Sequence, residues 1–119
     1  MVYRIMPNFY KNVKVDFSDT DEETVLTTPV GSTNIIKSML VTEDSNNADT
    51  ITITITGTTN VGGSSSSSTV PIFKDKAISA KATVELLTQP LVLQDSEVLK
   101  ATAATANRLH LVVSYLEIS

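Results

Sequence analysis

The chain contains no cysteine and no tryptophan, and only one histidine. Without cysteine, disulfides and thiolate metal sites are excluded. Without tryptophan, and with the few aromatics gathered at one end, a sugar-stacking platform has little to build on. The lone His110 has no Ser/His/Asp order and no HExxH spacing around it. A general base or a metal ligand needs such partners. No apolar run reaches membrane-spanning length. The first residues, MVYRIMPNFYKNVKV, lack the continuous apolar stretch of a secretory signal. Charge is scarce as well. Charged residues make up 18% of the chain, under the usual quarter, and the formal net charge is −4. A nucleic-acid binder would carry a basic stripe, and an anionic membrane surface would repel this chain. The expectation is therefore no cofactor, no metal, no nucleic acid and no membrane.

Thr and Ser take the place of the missing charge. Their hydroxyls are cheaper to desolvate than Lys or Glu, and the cores of protein interfaces are likewise poor in charge. At 119 residues the chain is long enough for one domain with one modest core.

The clearest local signal is Thr50–Thr56, TITITIT. Strict alternation puts every Ile on one face and every Thr on the other, the signature of a half-buried strand, and β-branched residues favour that backbone. The same grammar predicts strands over Asn12–Phe17, Glu23–Thr28, Asn34–Glu43, Thr83–Leu87, Leu91–Leu93 and Arg108–Ile118, and over Val98–Ala103, where an Ala-rich helix capped by Ser96 is the alternative and Thr102, Thr105 and the turn spacing favour a strand. Pro71 demotes Val70–Phe73 to an edge strand. About eight strands with turn signals at regular spacing predict an all-β, single-domain antiparallel β-sandwich, jelly-roll-like, over 12–119.

Three segments stand out within it. Met1–Lys11 holds Tyr3, Phe9 and Tyr10, half of the aromatic residues, with Ile5 and Pro7 between them. It reads either as an extended N-terminal arm that docks on a neighbouring subunit or as an edge strand of its own domain. Aromatic anchors are typical of interfaces, so Tyr3, Ile5, Phe9 and Tyr10 are the candidate partner-binding residues. Gly57–Thr69, with Gly62, Gly63 and Ser64–Ser68, reads as a mobile loop at the tip of a long hairpin. It has neither the lysine nor the following helix of a phosphate cradle. In Arg108–Ile118, Leu109, Leu111, Val113 and Tyr115 share one face, and His110, Val112, Ser114, Leu116 and Ile118 share the other. Both faces are apolar enough that one is core and the other is available to a partner. The acidic turns at Asp16–Glu23 and Glu43–Asp49 do not fit a calcium loop, which needs a Gly at position six and a Glu at position twelve. They read as solvated turns.

Two stretches carry a family resemblance. Thr28–Thr42, TPVGSTNIIKSMLVT, and Ile78–Ile118, with its "VEL" strand and closing VVSYLEI, resemble small virion structural proteins of tailed bacteriophages, nearest to those of cyanobacterial phages. The family pattern would place Ala and Lys where this chain has Val30 and Ser32. The resemblance implies a non-enzymatic virion component assembled in the host cytoplasm. Its most specific form is a trimeric capsid decoration (cement) protein contacting the major capsid protein or other virion proteins. A tail, neck or baseplate subunit is the alternative within the virion. A carbohydrate- or receptor-binding module is the alternative outside it.

Overall fold

A computed structural model describes residues 8–119. Among them are nine strands and no helix: β1 (Asn8–Asp16), β2 (Glu23–Thr27), β3 (Thr33–Glu43), β4 (Asp49–Val61), β5 (Ser64–Ile78), β6 (Thr83–Glu85), β7 (Leu91–Leu93), β8 (Val98–Ala103) and β9 (Leu109–Ile118). They form two antiparallel sheets. One has the order β1-β9-β3-β6, with β7 also on β3, and the other has the order β2-β8-β4-β5. β6 and β7 pair with β3 at two places along its length, so they count as one interrupted strand. The chain is then a long hairpin wrapped on itself: β1 meets β9, β2 meets β8, β3 meets β6/β7 and β4 meets β5. That is the jelly-roll connectivity, and it realises the expected β-sandwich.

Alternation explains the core. Ile51 and Ile53 of the Thr/Ile strand are fully buried, with Leu99, Ala101 and Ala103 beside them on β8. The opposing sheet contributes Ile36, Met39 and Val41 from β3 and Leu109, Leu111 and Val113 from β9. Phe17, just past β1, is 1% exposed and is the one fully buried phenylalanine. Its N–H donates to Leu109 O (3.2 Å), and its carbonyl accepts from Asn107 N–H (2.8 Å).

One open reading resolves for its described part and one expectation changes. Asn8–Lys11, for which the sequence left a docking arm and an edge strand open, are the first residues of β1, an edge strand that pairs with Tyr115–Ile118 of β9. The pattern was obscured because Asn8, Phe9, Tyr10 and Lys11 are all exposed, so no buried face alternates there. Gly57–Thr69, read as a mobile loop, is a paired ribbon. Gly57–Val61 pair residue by residue with Ser64–Ser68. A two-residue turn closes it at Gly62 (φ +55°) and Gly63 (φ +89°). Two consecutive positive φ values are what a tight hairpin turn demands, and glycine supplies them without strain. Low side-chain hydrophobicity hid a strand whose pairing is carried by its backbone.

Buried carboxylates hold the turns. Glu43, expected in a solvated turn, is 1% exposed. It accepts hydrogen bonds from the Ser45 hydroxyl, Ser45 N–H (2.8 Å), Asn47 N–H (3.2 Å) and Lys81 N–H (3.0 Å). It thereby ties the β3–β4 turn to the β5–β6 loop. Burial pushes this carboxyl up, but the four donors together outweigh it and hold it at about 2. Because the folded value lies below the ordinary one, the stabilisation is complete above about pH 4.5 and drains away as pH falls towards 2. Glu43→Gln puts an amide N–H₂ against backbone donors. It is expected to lower the thermal midpoint by several degrees at pH 7, with the gap to the parent closing near pH 2. Thermal melts across that range check this.

Candidate functional site

The outer face of the β1-β9-β3-β7 sheet is where the fold presents the most organised apolar surface. Leu111, Val113 and Tyr115 point into the core, so by alternation Val112, Ser114 and Leu116 point outward. Tyr10 on β1 stands opposite Leu116 on β9. Leu116 stands opposite Ile35 on β3, and Ile35 opposite Val92 on β7. The result is one apolar row across four strands. Its ends are open, with Tyr10 80% and Val92 52% exposed, while Leu116 and Ile35 are half-buried between their neighbours. Ile118 continues the outward positions of β9 at the same end, opposite Thr33. Val30, 84% exposed, lies in the turn that leads into Thr33.

The face grows more polar away from this end. The next aligned positions are Asn12, Ser114 and Ser38, then Lys14, Val112, Leu40 and Glu85. At the far end Asp16, His110, Thr42 and Thr83 stand in line. There the His110 ring contacts two carboxylates, with Nδ1 3.3 Å from Asp16 and Nε2 3.0 Å from Asp44. The acidic residues of the first turn go to separate partners. Asp16 faces His110, Glu22 lies 3.7 Å from Lys100, and Asp19 accepts from Asp21 N–H.

An irregularity in β3 shapes the middle of this face. The β3–β9 register shifts between Ile36 and Ser38, which leaves Lys37 as an extra, exposed residue. Beside it the edge strand is interrupted between Glu85 and Leu91. The Glu85 carboxylate fills the gap by accepting from the Ser38 hydroxyl, Met39 N–H (2.7 Å) and Leu87 N–H (3.3 Å). Burial raises this carboxyl, and those donors outweigh it and lower it overall. Tyr10, Lys11, Asn12, Lys37, Ser114 and Tyr115 line a cleft of about 430 Å³ there. Lys11 is held by Glu117 at 3.0 Å.

At the apolar end two turns are latched together. Thr28 N–H donates to Glu97 O (2.9 Å), Ser96 N–H to Thr28 O (3.1 Å) and Gly31 N–H to an Asp95 carboxylate oxygen (2.9 Å). The Gly31 amide, then the Ser96 hydroxyl, lower the Asp95 carboxyl. Ser32 is 7% exposed.

Of the four candidate contact residues, Phe9 and Tyr10 lie on β1, opposite Glu117 and Leu116. Of these two, Tyr10 joins the apolar row. Tyr3 and Ile5 lie outside the described residues. Leu116 was legible as part of a second apolar face of β9. Ile35 and Val92 were not singled out, although the two-sided apolar run of Asn34–Glu43 and the central Val of Leu91–Leu93 carried the signal.

No protein-family model and no curated protein matches the chain. In fold it is similar to a chain in the structure of infectious bursal disease virus Gx strain. The TM-score is 0.52 at 11% identity, over 93% of this chain and 32% of the other. A chain in the Gt strain structure of the same virus aligns at a TM-score of 0.39 and 10% identity, over 97% and 30%. The likeness is one of fold, and this chain spans about a third of the length of those it aligns with.

Proposed function

We propose that this chain is a non-enzymatic structural subunit of a virus particle, and specifically a decoration protein on the head of a tailed phage. In this reading it docks through the outer face of the β1-β9-β3-β7 sheet. The carrying observation is the aligned row Tyr10–Leu116–Ile35–Val92, exposed at both ends, on a sheet face that grows more polar away from it. Exposed apolar surface with this order marks an interaction site. The jelly-roll likeness to a chain in a virus structure supports the particle, and the sequence resemblance of Thr28–Thr42 and Ile78–Ile118 supports a tailed-phage virion, in which a tail, neck or baseplate subunit is the alternative to the head. Burying such rows across capsomer boundaries would oppose head expansion. Repetition over a shell would multiply a modest contact. By analogy with decoration sites on three-fold positions the proposed unit is a trimer, in which copies related by rotation present the row together.

Tyr10 belongs to this face, and Tyr3, Ile5 and Phe9 are proposed as further contacts from the same N-terminal segment. Co-sedimentation with expanded phage heads tests the assignment. The full chain is expected to pellet with heads. A chain shortened to begin at Asn8 keeps every strand pair described above. It is expected to fold with an unchanged circular dichroism spectrum and to pellet at reduced occupancy. A full chain that stays in the supernatant would overturn the reading.

A further inference from the structure

The β4–β5 ribbon leaves the body of the protein. β8 accompanies β4 only as far as Thr56↔Val98. Beyond that point Gly57–Val61 and Ser64–Ser68 pair only with each other, and the molecule reaches a longest extent of 59 Å. A bare two-stranded ribbon is marginal in water, and its open edges are templates for further strand pairing.

The edges of this protein are unequally protected. β1 carries Lys11, Lys14 and Asp16. β2 is five residues long with a register shift, and β6 and β7 are three residues each. Charge, irregularity and shortness are the usual guards against edge-to-edge pairing. The outer part of β5 has none of them, for no charged residue occurs between Asp49 and Lys74. The other open edge of the ribbon, along β4, is obstructed at its start. The Glu97 side chain lies so close to Gly57 that a Cβ there would come within 2.8 Å of its carboxylate.

The hydrogen-bonding parity of β5 follows from its turn. Val61 and Ser64 flank a two-residue hairpin turn and so face each other as a hydrogen-bonded pair. Counting along the ribbon, Ser66, Ser68 and Val70 bond inward to β4. Ser65, Ser67 and Thr69 turn their N–H and C=O groups outward. Pro71, opposite Thr54, falls on the outward set. It has no N–H to offer there and ends the available edge. The other end is the turn at Gly63. Ser67 lies midway between Gly63 and Pro71, so the free edge is symmetric about it.

We propose that two copies of this chain pair through this edge, β5 against β5 antiparallel across a two-fold axis through Ser67. Ser67 then faces Ser67 of the second copy, and Ser65 faces Thr69 of the second copy. About six main-chain hydrogen bonds form, with no side-chain charge to oppose them. Self-complementarity about a central residue is the mark of an isologous contact. The five serines are small enough to let two backbones approach. The contact joins two four-stranded sheets into one continuous sheet. It uses a different surface from the apolar row and does not depend on the particle assignment.

Absence of native cysteine makes the test direct. Ser67→Cys and Ser65→Cys are each made in the full chain and oxidised with a dipyridyl disulfide at matched concentrations. Directly opposed strand residues lie about 5.5 Å apart at Cα, within disulfide reach, whereas residues four positions out of line are roughly 13 Å apart. Ser67→Cys is expected to form a covalent dimer at least tenfold faster than Ser65→Cys. The double variant Ser65→Cys/Thr69→Cys is expected to recover the fast rate. Ser67→Cys/Thr69→Pro, which removes outward donors while leaving the inward β4 bonds intact, is expected to fall to the slow rate. Equal rates for Ser67→Cys and Ser65→Cys would overturn the proposal, as would a fast Ser67→Cys rate undiminished by the proline.

Discussion

Phe17→Ala is expected to cost about 3–5 kcal/mol of folding stability, the usual range for emptying a buried phenylalanine site. A domain of this size has roughly 5–15 kcal/mol in total, so the variant sits close to unfolding. The position leaves little room to relax. Phe17 is 1% exposed, and its own backbone is bonded on both sides to the start of β9 and the turn before it. The side chain therefore cannot be replaced by a small inward shift of its segment. Urea denaturation of parent and variant checks the value. A loss under about 1 kcal/mol would mean that the strand ends at β1 and β9 are looser than their hydrogen bonds suggest.

The second large effect concerns binding. Tyr10→Lys with Leu116→Lys places two charges on neighbouring strands in the apolar row. Both side chains point away from the core, so the thermal midpoint is expected to stay within a few degrees of the parent. Binding to heads is expected to disappear, because a docked lysine must be desolvated without a partner. The control is Lys14→Ala with Thr42→Ala, on the polar part of the same face, which is expected to bind like the parent. If the double-lysine variant pellets at full occupancy, the apolar row is not the docking surface.

The fold was largely legible because its strands are driven by periodic burial. TITITIT alternates so strictly that the structure could only put Ile51 and Ile53 in one core. The two faces of Arg108–Ile118 were assigned to the residues that are in fact buried and outward. What escaped the sequence lacks a buried periodic face. The outer half of β5 is a run of serines whose pairing resides in its backbone, and it reads as a loop by composition. For Asn8–Lys11 the sequence left arm and edge strand open, because they sit at the open corner of a sheet, where all four are exposed and alternation has nothing to record. Glu43 was misread as a solvated turn residue because composition cannot show that four donors from two separate loops converge on it. The apolar row was half legible. Each strand shows its own outward apolar residue, but their alignment across β1, β9, β3 and β7 depends on the register. A one-residue slip would reverse every face.

Electron cryo-microscopy of expanded phage heads incubated with the full chain tests the docking claim most directly. The account predicts density for the protein on the outer shell, with the β1-β9-β3-β7 face against the capsid and Tyr10, Leu116, Ile35 and Val92 excluded from solvent. Heads bearing no such density would contradict it. So would subunits bound with that face turned to solvent.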